Sequence, residues 1–240
     1  MPRQQPEQQA PPAQWLRVQY AKSGPARFTS TRDFGRAFER ALRRAEVPMA
    51  YSSGFNPHPR LSYANASPTS AATRAEFLEI GLTTPCDPEA ICTALDEALP
   101  PGLEVVKVVV SDRRALSEAL TASDWLVELD PVGEGDIDQE TLVGAVADLL
   151  GREEYLVSRM TKTGRREFDV RQPIVRLEVT GPATLELRSM HTVPLVRPDD
   201  IVTALREIAP GLSVARPAML TRQTQGELVD GVMLDAMTPR

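Results

Sequence analysis

Residues 15 to 46 read WLRVQYAKSGPARFTSTRDFGRAFERALRRAE, and this stretch is the main determinant of the predicted fold. Polar and apolar side chains alternate over residues 15–21, as in a half-buried strand. Ser30 or Thr31 then caps a helix that runs to about Glu46, with Asp33 placed for the capping interaction. The apolar residues of this helix recur three or four positions apart, as packing on a core requires, and they are Phe34, Ala37, Phe38, Ala41, Leu42 and Ala45.

The rest of the first half continues the same pattern of strands and helices. Residues 61–66, 76–82 and 103–111 are predicted strands, and 87–99 is a predicted helix. The last of these strands is apolar on both faces, which predicts a central position in the sheet. The resulting order, β-α-β-β-α-β, is the ferredoxin-like plan.

The second half repeats this plan, with an additional pair of strands. Its predicted strands are 124–130, 155–162, 167–171, 175–180, 184–190 and 214–223, and its predicted helices are 139–150 and 198–208. We therefore expect an α+β fold of two tandem ferredoxin-like lobes, with antiparallel sheets and helices on one face. The expected divisions are a disordered segment (1–14), a first lobe (15–112), a connector (113–123), a second lobe (124–223) and a flexible tail (224–240).

The composition favours a globular protein of the cytoplasm that acts without a cofactor. The chain has 240 residues and no apolar run near the roughly 20 residues that span a bilayer, and its N-terminus lacks the apolar stretch of a secretory signal. Two cysteines, Cys86 and Cys92, are too few for a disulfide framework or an iron–sulfur cluster. Two distant histidines and the absence of a glycine-rich phosphate loop predict neither a metal site nor a nucleotide site.

Positive charge is concentrated in one part of the chain. Residues 15–60 contain nine basic and three acidic residues, so this segment is +6, whereas the whole chain is −6. On the predicted helix, Arg32, Arg36, Arg40 and either Arg43 or Arg44 recur on the side opposite Phe34 and Phe38. Guanidinium groups suit phosphate oxygens, and a block of one charge sign indicates an anionic partner. The alternative is a solvated arginine face.

The loop Tyr51–Arg60 reads YSSGFNPHPR and has the composition of a nucleotide-binding loop. Gly54 provides backbone freedom, while two prolines stiffen the chain and favour an extended path. The loop offers two aromatic rings, hydrogen-bonding groups, an imidazole and a cation, which are the groups that hold an unpaired nucleotide. The residues that we expect to bind RNA are Lys22, Arg27, Arg32, Arg36, Arg40, Arg43, Tyr51, Ser53, Phe55, Asn56, His58, Arg60, Lys162, Arg165 and Arg166.

Two further groups of charged residues have simpler interpretations. Lys162, Arg165 and Arg166 lie at a predicted hairpin tip, where basic residues either extend an RNA surface or maintain solubility. Glu76 and Glu79 lie in one predicted strand and are expected to line a solvent face rather than form a catalytic pair.

Residues 27–82 resemble the signature of the radical SAM-linked protein family. The similarity is carried by RFTSTRDFGRAFERALRRAEVPMAYSSGFNPHPRLSYANASP and by EFLEIGL, with GFNPHP the most specific part. In that family the domain is fused behind a B12-binding radical SAM enzyme or encoded separately, and its biochemical role is not established. The resemblance implies a stand-alone accessory of a radical SAM (B12-binding) protein.

The helix and loop also look like the first lobe of the CRISPR repeat-processing endonucleases, which are tandem ferredoxin-like RNA-binding proteins. That similarity implies an alternative function, metal-independent RNA cleavage. His58 would be the general acid or base, and Arg60 or Arg27 would stabilise the phosphorane. The second histidine, His191, lies in the other lobe, so Tyr51 or Lys22 would have to complete the site.

Three functions are therefore expected, in this order. The first is a non-catalytic accessory protein that binds or presents RNA to a radical SAM enzyme. The second is the endonuclease. The third is a protein-binding subunit whose arginine face docks on an acidic partner.

Overall fold

A computed structural model of the chain describes residues 8–130, 133, 137–161, 164–212 and 216–238. These residues form two compact units. The first comprises the described part of Met1–Thr69, Thr73–Ala119 and the described part of Asp235–Arg240. The second comprises Ser70–Ala72 and the described part of Leu120–Leu234.

The first unit contains three α-helices and four strands in the described residues. Its elements are β1 (Gln14–Lys22), α1 (Thr31–Arg44), β2 (Leu61–Ala64), β3 (Ala72–Leu82), α2 (Pro88–Ala98), β4 (Leu103–Val110) and the short α3 (Leu116–Ala119). A 3-10 helix, Gly24–Phe28, connects β1 to α1. Antiparallel pairing places β1 between β4 and β3, while β2 pairs with residues 77–80 of β3.

Side chains on alternate positions of β1 and β3 join α1 in the core of this unit. Leu16 and Val18 of β1 lie opposite Ile80 and Leu78 of β3, and all four are fully buried. Phe34 of α1 stacks on Tyr20, with the ring centroids 4.0 Å apart. The helix starts as the sequence predicts, because the Ser30 hydroxyl accepts a hydrogen bond from the Asp33 amide. The other face of the sheet carries the intervening residues, including Arg17 and Glu79.

The position of β4 differs from the prediction. Within the described residues β4 pairs with β1 alone and lies at the edge, and Val106 and Val110 are about half exposed. Five valines in one strand indicate burial on both faces, but α2 packs on only one of them. The apolar composition of β4 was therefore a poor guide to its place in the sheet.

The second unit has the same succession of strands and helices, interrupted by an extra hairpin. Its elements are β5 (Ala122–Glu128), α4 (Gln139–Gly151), β6 (Leu156–Thr161), β7 (Gly164–Asp169), β8 (Ile174–Gly181), β9 (Thr184–Met190), α5 (Pro198–Ile208) and β10 (Met219–Val229), followed by β11 (Val232–Asp235), which pairs with β10. A 3-10 helix, Pro210–Leu212, follows α5. The sheet order is β10-β5-β9-β8, and β6 and β7 form a separate two-stranded hairpin.

The chain is thus a mixed α+β protein with antiparallel strand pairs, as the sequence predicts at that level, and the described residues contain five α-helices. Residues 224–235, predicted to belong to a flexible tail, instead complete β10 and form β11. In the predicted connector, 113–123, residues 116–119 form α3 and β5 begins at Ala122. Ahead of β1, the Ala13 amide donates to the Leu82 carbonyl, whereas residues 1–7 lie outside the described part.

Candidate functional site

The arginine stripe consists of Arg32, Arg36, Arg40 and Arg43 on the outer side of α1, and all four are exposed. At 100° per residue they fall within one narrow sector of the helix, away from the buried Phe34 and Phe38. Arg44, the sequence alternative to Arg43, instead donates to the Ala98 carbonyl at 3.0 Å and ties α1 to α2. Asp33 lies 3.8 Å from Arg36 with both side chains largely exposed, so this ion pair contributes little stability and neutralises the stripe weakly.

The loop Tyr51–Arg60 is closed on itself by backbone and hydroxyl contacts. The Ser52 amide donates to the His58 carbonyl at 2.8 Å, and the His58 amide donates to the Ser52 hydroxyl at 3.0 Å. Residues 51 and 59 form an antiparallel bridge at its base. Gly54, with φ +125°, adopts a conformation that other residues rarely enter, which allows the chain to turn at the tip.

This closure leaves the side chains of the loop outside. Phe55 is 63% exposed, and Asn56 and His58 are also exposed. Because most of the Phe55 ring is exposed at the loop tip, a partner can reach it. Ser53 accepts a hydrogen bond from the Gln9 amide at 2.9 Å, which holds the N-terminal segment beside the loop.

Arg60 is anchored where the loop joins β2. Its amide donates to the Ala50 carbonyl, and its carbonyl accepts from the Gly81 amide at 2.9 Å. A Cβ on Gly81 would lie 2.8 Å from Pro12 and 3.3 Å from the Arg60 Cβ, so glycine is required for this close approach. The Arg60 side chain is partly exposed at the base of the loop.

The remaining residues that we expect to bind RNA do not all join this surface. Lys22 is 5% exposed, so phosphate has no access to it in this structure. Arg27 is partly exposed and lies 4.7 Å from the ring centre of the exposed Phe28. Arg165 and Arg166 are exposed on β7 in the second unit, and Lys162 lies outside the described residues.

The prediction that Glu76 and Glu79 line a solvent face is wrong. Glu76 is 1% exposed and Glu79 is 5% exposed. The Glu76 carboxylate accepts a hydrogen bond from the Ser67 amide at 3.0 Å. Glu79 lies directly opposite Arg17 on the neighbouring strand, which brings the two side chains together on the sheet face away from α1.

Around Arg17 and Glu79 the structure forms a buried network that the sequence did not predict. Arg17 donates to Glu79 Oε1 at 3.1 Å and to Asp112 Oδ1 at 2.9 Å. It also donates to the backbone carbonyls of Arg114 and Ala236. Ser111 donates its hydroxyl to Glu79 Oε1, and Arg113 donates to Oε2 at 3.0 Å. The carboxylate of Glu79 is therefore held from both of its oxygens.

His191 is a partly buried structural residue of the second unit. Its Nδ1 lies 2.8 Å from the Leu120 carbonyl, which can only accept, so Nδ1 carries the proton. Its Nε2 then accepts from the Ser123 hydroxyl at 2.8 Å. Burial lowers the pKa of His191 to about 4, because the charged imidazolium would lose its hydration. Ser123 is fully buried, so its hydroxyl has no access to a substrate.

The described part of the chain contains neither a metal-binding cluster nor a membrane-spanning helix. No group of three or more histidine, cysteine, aspartate or glutamate residues there could hold a metal ion. None of its helices is both long enough and apolar enough to cross a membrane.

A family relationship covers most of the chain. No curated protein matches it. A family model described as an uncharacterized protein conserved in bacteria, DUF2344, matches residues 15–198, which include the arginine stripe, the Tyr51–Arg60 loop and the Arg17–Glu79 network. The match covers well over half of the sequence, and the chain therefore belongs to the DUF2344 family.

Proposed function

We propose that the protein is a non-catalytic accessory that binds RNA through the arginine stripe and the Tyr51–Arg60 loop. The observation that carries this proposal is the stripe, four exposed guanidinium groups on one side of α1. Such a row repels itself unless an anion neutralises it. At 1.5 Å per residue it extends about 16 Å along the helix, enough to contact several successive phosphates.

The loop supports a partly unpaired RNA rather than a regular duplex. Phe55 presents a ring on which a base can stack, and Asn56 and His58 beside it supply hydrogen-bonding groups for a base edge. In a duplex the faces of each base are already covered by the bases stacked above and below it. A single-stranded loop or bulge leaves them open, which is the usual target of sequence-specific RNA recognition.

The partner and the finer fold are part of the same proposal. The GFNPHP signature supports a radical SAM (B12-binding) enzyme as the protein that receives the RNA. The two partly buried cysteines are free thiols, which is compatible with a location in the reducing cytoplasm. Two tandem ferredoxin-like lobes are supported by the sheet orders, β4-β1-β3 with β2 on β3, and β10-β5-β9-β8. In both orders the first strand lies between the fourth and the third, when the β6–β7 hairpin and β11 are left out of the count for the second unit.

The test is binding of the full chain to two labelled probes, total tRNA and a short mixed-sequence single-stranded RNA. If the four arginines of the stripe each contact a phosphate, affinity for the single strand falls roughly fifty-fold between about 50 mM and about 200 mM salt. Arg36→Glu with Arg40→Glu is expected to weaken binding at least tenfold while leaving the melting temperature unchanged.

A matched control makes the same change of charge elsewhere in the first unit. Arg74 and Lys107 are exposed, and Arg74→Glu with Lys107→Glu is expected to retain most of the affinity. Failure of the unaltered protein to retain either RNA at about 50 mM salt would overturn the proposal and favour the protein-binding subunit. Cleavage of end-labelled RNA that disappears in His58→Ala would instead establish the endonuclease.

A further inference from the structure

A cavity of about 320 Å³ lies in the first unit beside the Arg17–Glu79 network. Its lining includes Trp15, Ser62, Glu79, Arg113, Leu116 and Ser117. The alternation of β1 and β3 places Trp15 and Glu79 on the sheet face opposite the one that packs against α1. The cavity is therefore separate from the arginine stripe, and binding of a ligand in it does not depend on the proposed function.

Arg113 provides the main group in this cavity for contact with a ligand. Its guanidinium lies 3.9 Å from the ring centre of Trp15, and its Nη1 donates to Glu79 Oε2 at 3.0 Å. Even so, 52% of the side chain is exposed, so part of the guanidinium remains open to a ligand. Its backbone has φ +66°, a left-handed conformation that a residue with a side chain adopts at a cost. Strain of this kind persists where the surroundings hold it, often at binding sites.

The base of the cavity is electrically balanced. Glu79 and Asp112 offset Arg17 and Arg113, because Arg17 is paired with both carboxylates and Arg113 is paired with Glu79. A free anion would have to compete with Glu79 for Arg113, and it would find no surplus of positive charge among these four groups. The balance therefore favours a neutral ligand over phosphate or a carboxylate.

One face of the Arg113 guanidinium covers Trp15 and one edge is bound to Glu79, which leaves the opposite face for stacking. Bases stack on arginine planes as well as on aromatic rings. Ser62 and Ser117 are among the residues that line the cavity. A serine hydroxyl can donate a hydrogen bond to the edge of a ring or accept one from it. The volume is at the lower end of the range for small-molecule sites. We infer that the cavity binds a planar, uncharged, hydrogen-bonding heteroaromatic ring of the nucleobase type, stacked on Arg113.

Saturation-transfer NMR on the full chain tests this inference with defined probes. The four ribonucleosides, their 5′-monophosphates and inorganic phosphate are each titrated separately, and a short single-stranded RNA is then used as competitor. At least one nucleoside is expected to show transfer to its base protons, with the monophosphate binding no more than a fewfold more tightly. Displacement by the RNA would assign the ring to a nucleotide in a chain, and lack of displacement would assign it to a free nucleoside.

Substitutions at one position distinguish stacking from charge. Arg113→Lys keeps a cation for Glu79 but removes the planar guanidinium group, and it is expected to weaken binding of the nucleoside at least tenfold. Arg113→Gln is expected to do the same, whereas the control Arg74→Gln, at an exposed position of β3, is expected to bind normally. Transfer from no nucleoside, equal binding by Arg113→Lys, or displacement of the nucleoside by inorganic phosphate would overturn the inference. If the same samples still bind RNA through the arginine stripe, the proposed function holds even though the inference about the cavity fails.

Discussion

Arg17 and Glu79 show how one pair of residues organises the sheet face opposite α1. The side chains are 4% and 6% exposed and form an ion pair at 3.1 Å between neighbouring strands. Asp112 and two backbone carbonyls accept further hydrogen bonds from Arg17, which spreads its charge over several acceptors. A buried ion pair adds little net stability compared with apolar residues. Loss of one partner nevertheless lowers the free energy of unfolding strongly, because the other charge stays buried.

Glu79→Gln is therefore expected to lower the free energy of unfolding by about 3 kcal/mol, since Arg113 loses its carboxylate partner and the buried Arg17 retains Asp112 but not Glu79. Chemical denaturation followed by far-ultraviolet circular dichroism measures the change. Glu104→Gln, an equivalent change at an exposed position of β4, is expected to cost less than about 0.5 kcal/mol. Equal effects of the two substitutions would contradict the structural role of Glu79.

The sequence did not predict this network because its members are far apart along the chain. Arg17 is 62 residues from Glu79 and 95 residues from Asp112. A glutamate in an alternating strand has the same local pattern whether its face meets solvent or a buried arginine. Lys22 was misplaced for the same reason, because its position in β1 does not reveal that it is buried.

At the scale of elements, α1 and the loop after it follow the prediction most closely. The cap at Ser30, the apolar stripe and the outward arginines are all set by spacing within one helix. The loop keeps its side chains exposed because two contacts between residues 52 and 58 close it locally. Both features depend on neighbours a few residues away, and short-range patterns can therefore reveal them.

Phe55→Ala is expected to weaken binding of single-stranded RNA by about 1–3 kcal/mol, the usual effect of removing one stacking ring. The melting temperature is expected to stay unchanged, because the ring is mostly exposed. Phe55→Trp is the matched variant and is expected to bind at least as tightly as the unaltered protein. Fluorescence polarisation with labelled RNA measures all three proteins. Unchanged affinity in Phe55→Ala would remove the loop from the RNA surface.

At the scale of the whole molecule, the uneven charge and the two histidines are the informative features. The chain carries −6 overall although residues 15–60 carry +6, so the rest is −12 and repels nucleic acid. Binding of RNA is therefore expected to be confined to part of the surface. Of the two histidines, His191 is partly buried and has a lowered pKa, so it links stability to pH.

The pKa of His191 falls from 6.5 in the unfolded chain to about 4 in the folded protein. Between these values the unfolded chain binds more protons, so the contribution of His191 to stability is complete above pH 6.5 and decreases as pH falls. The loss at pH 5, relative to about pH 7.5, is expected to be about 2 kcal/mol.

His191→Asn is expected to remove most of this pH dependence, although it lowers stability at neutral pH by leaving Ser123 and Leu120 with poorer partners. Urea denaturation at a series of pH values provides the measurement. His58→Asn serves as the comparison and is expected to retain the slope of the unaltered protein. The same slope in His191→Asn would show that other groups cause it.

The amino-acid sequence was sufficient to predict the α+β class, the start of α1, the row of arginines and the composition of the exposed loop. Each of these depends on spacing within a helix, a strand or a turn, where the interacting residues are close along the chain. Only the tertiary structure decided that β4 lies at an edge, that residues 224–235 are strands, and that Glu79 meets Arg17 beside a cavity. Those outcomes depend on strand register and on contacts between distant segments, which no local pattern specifies.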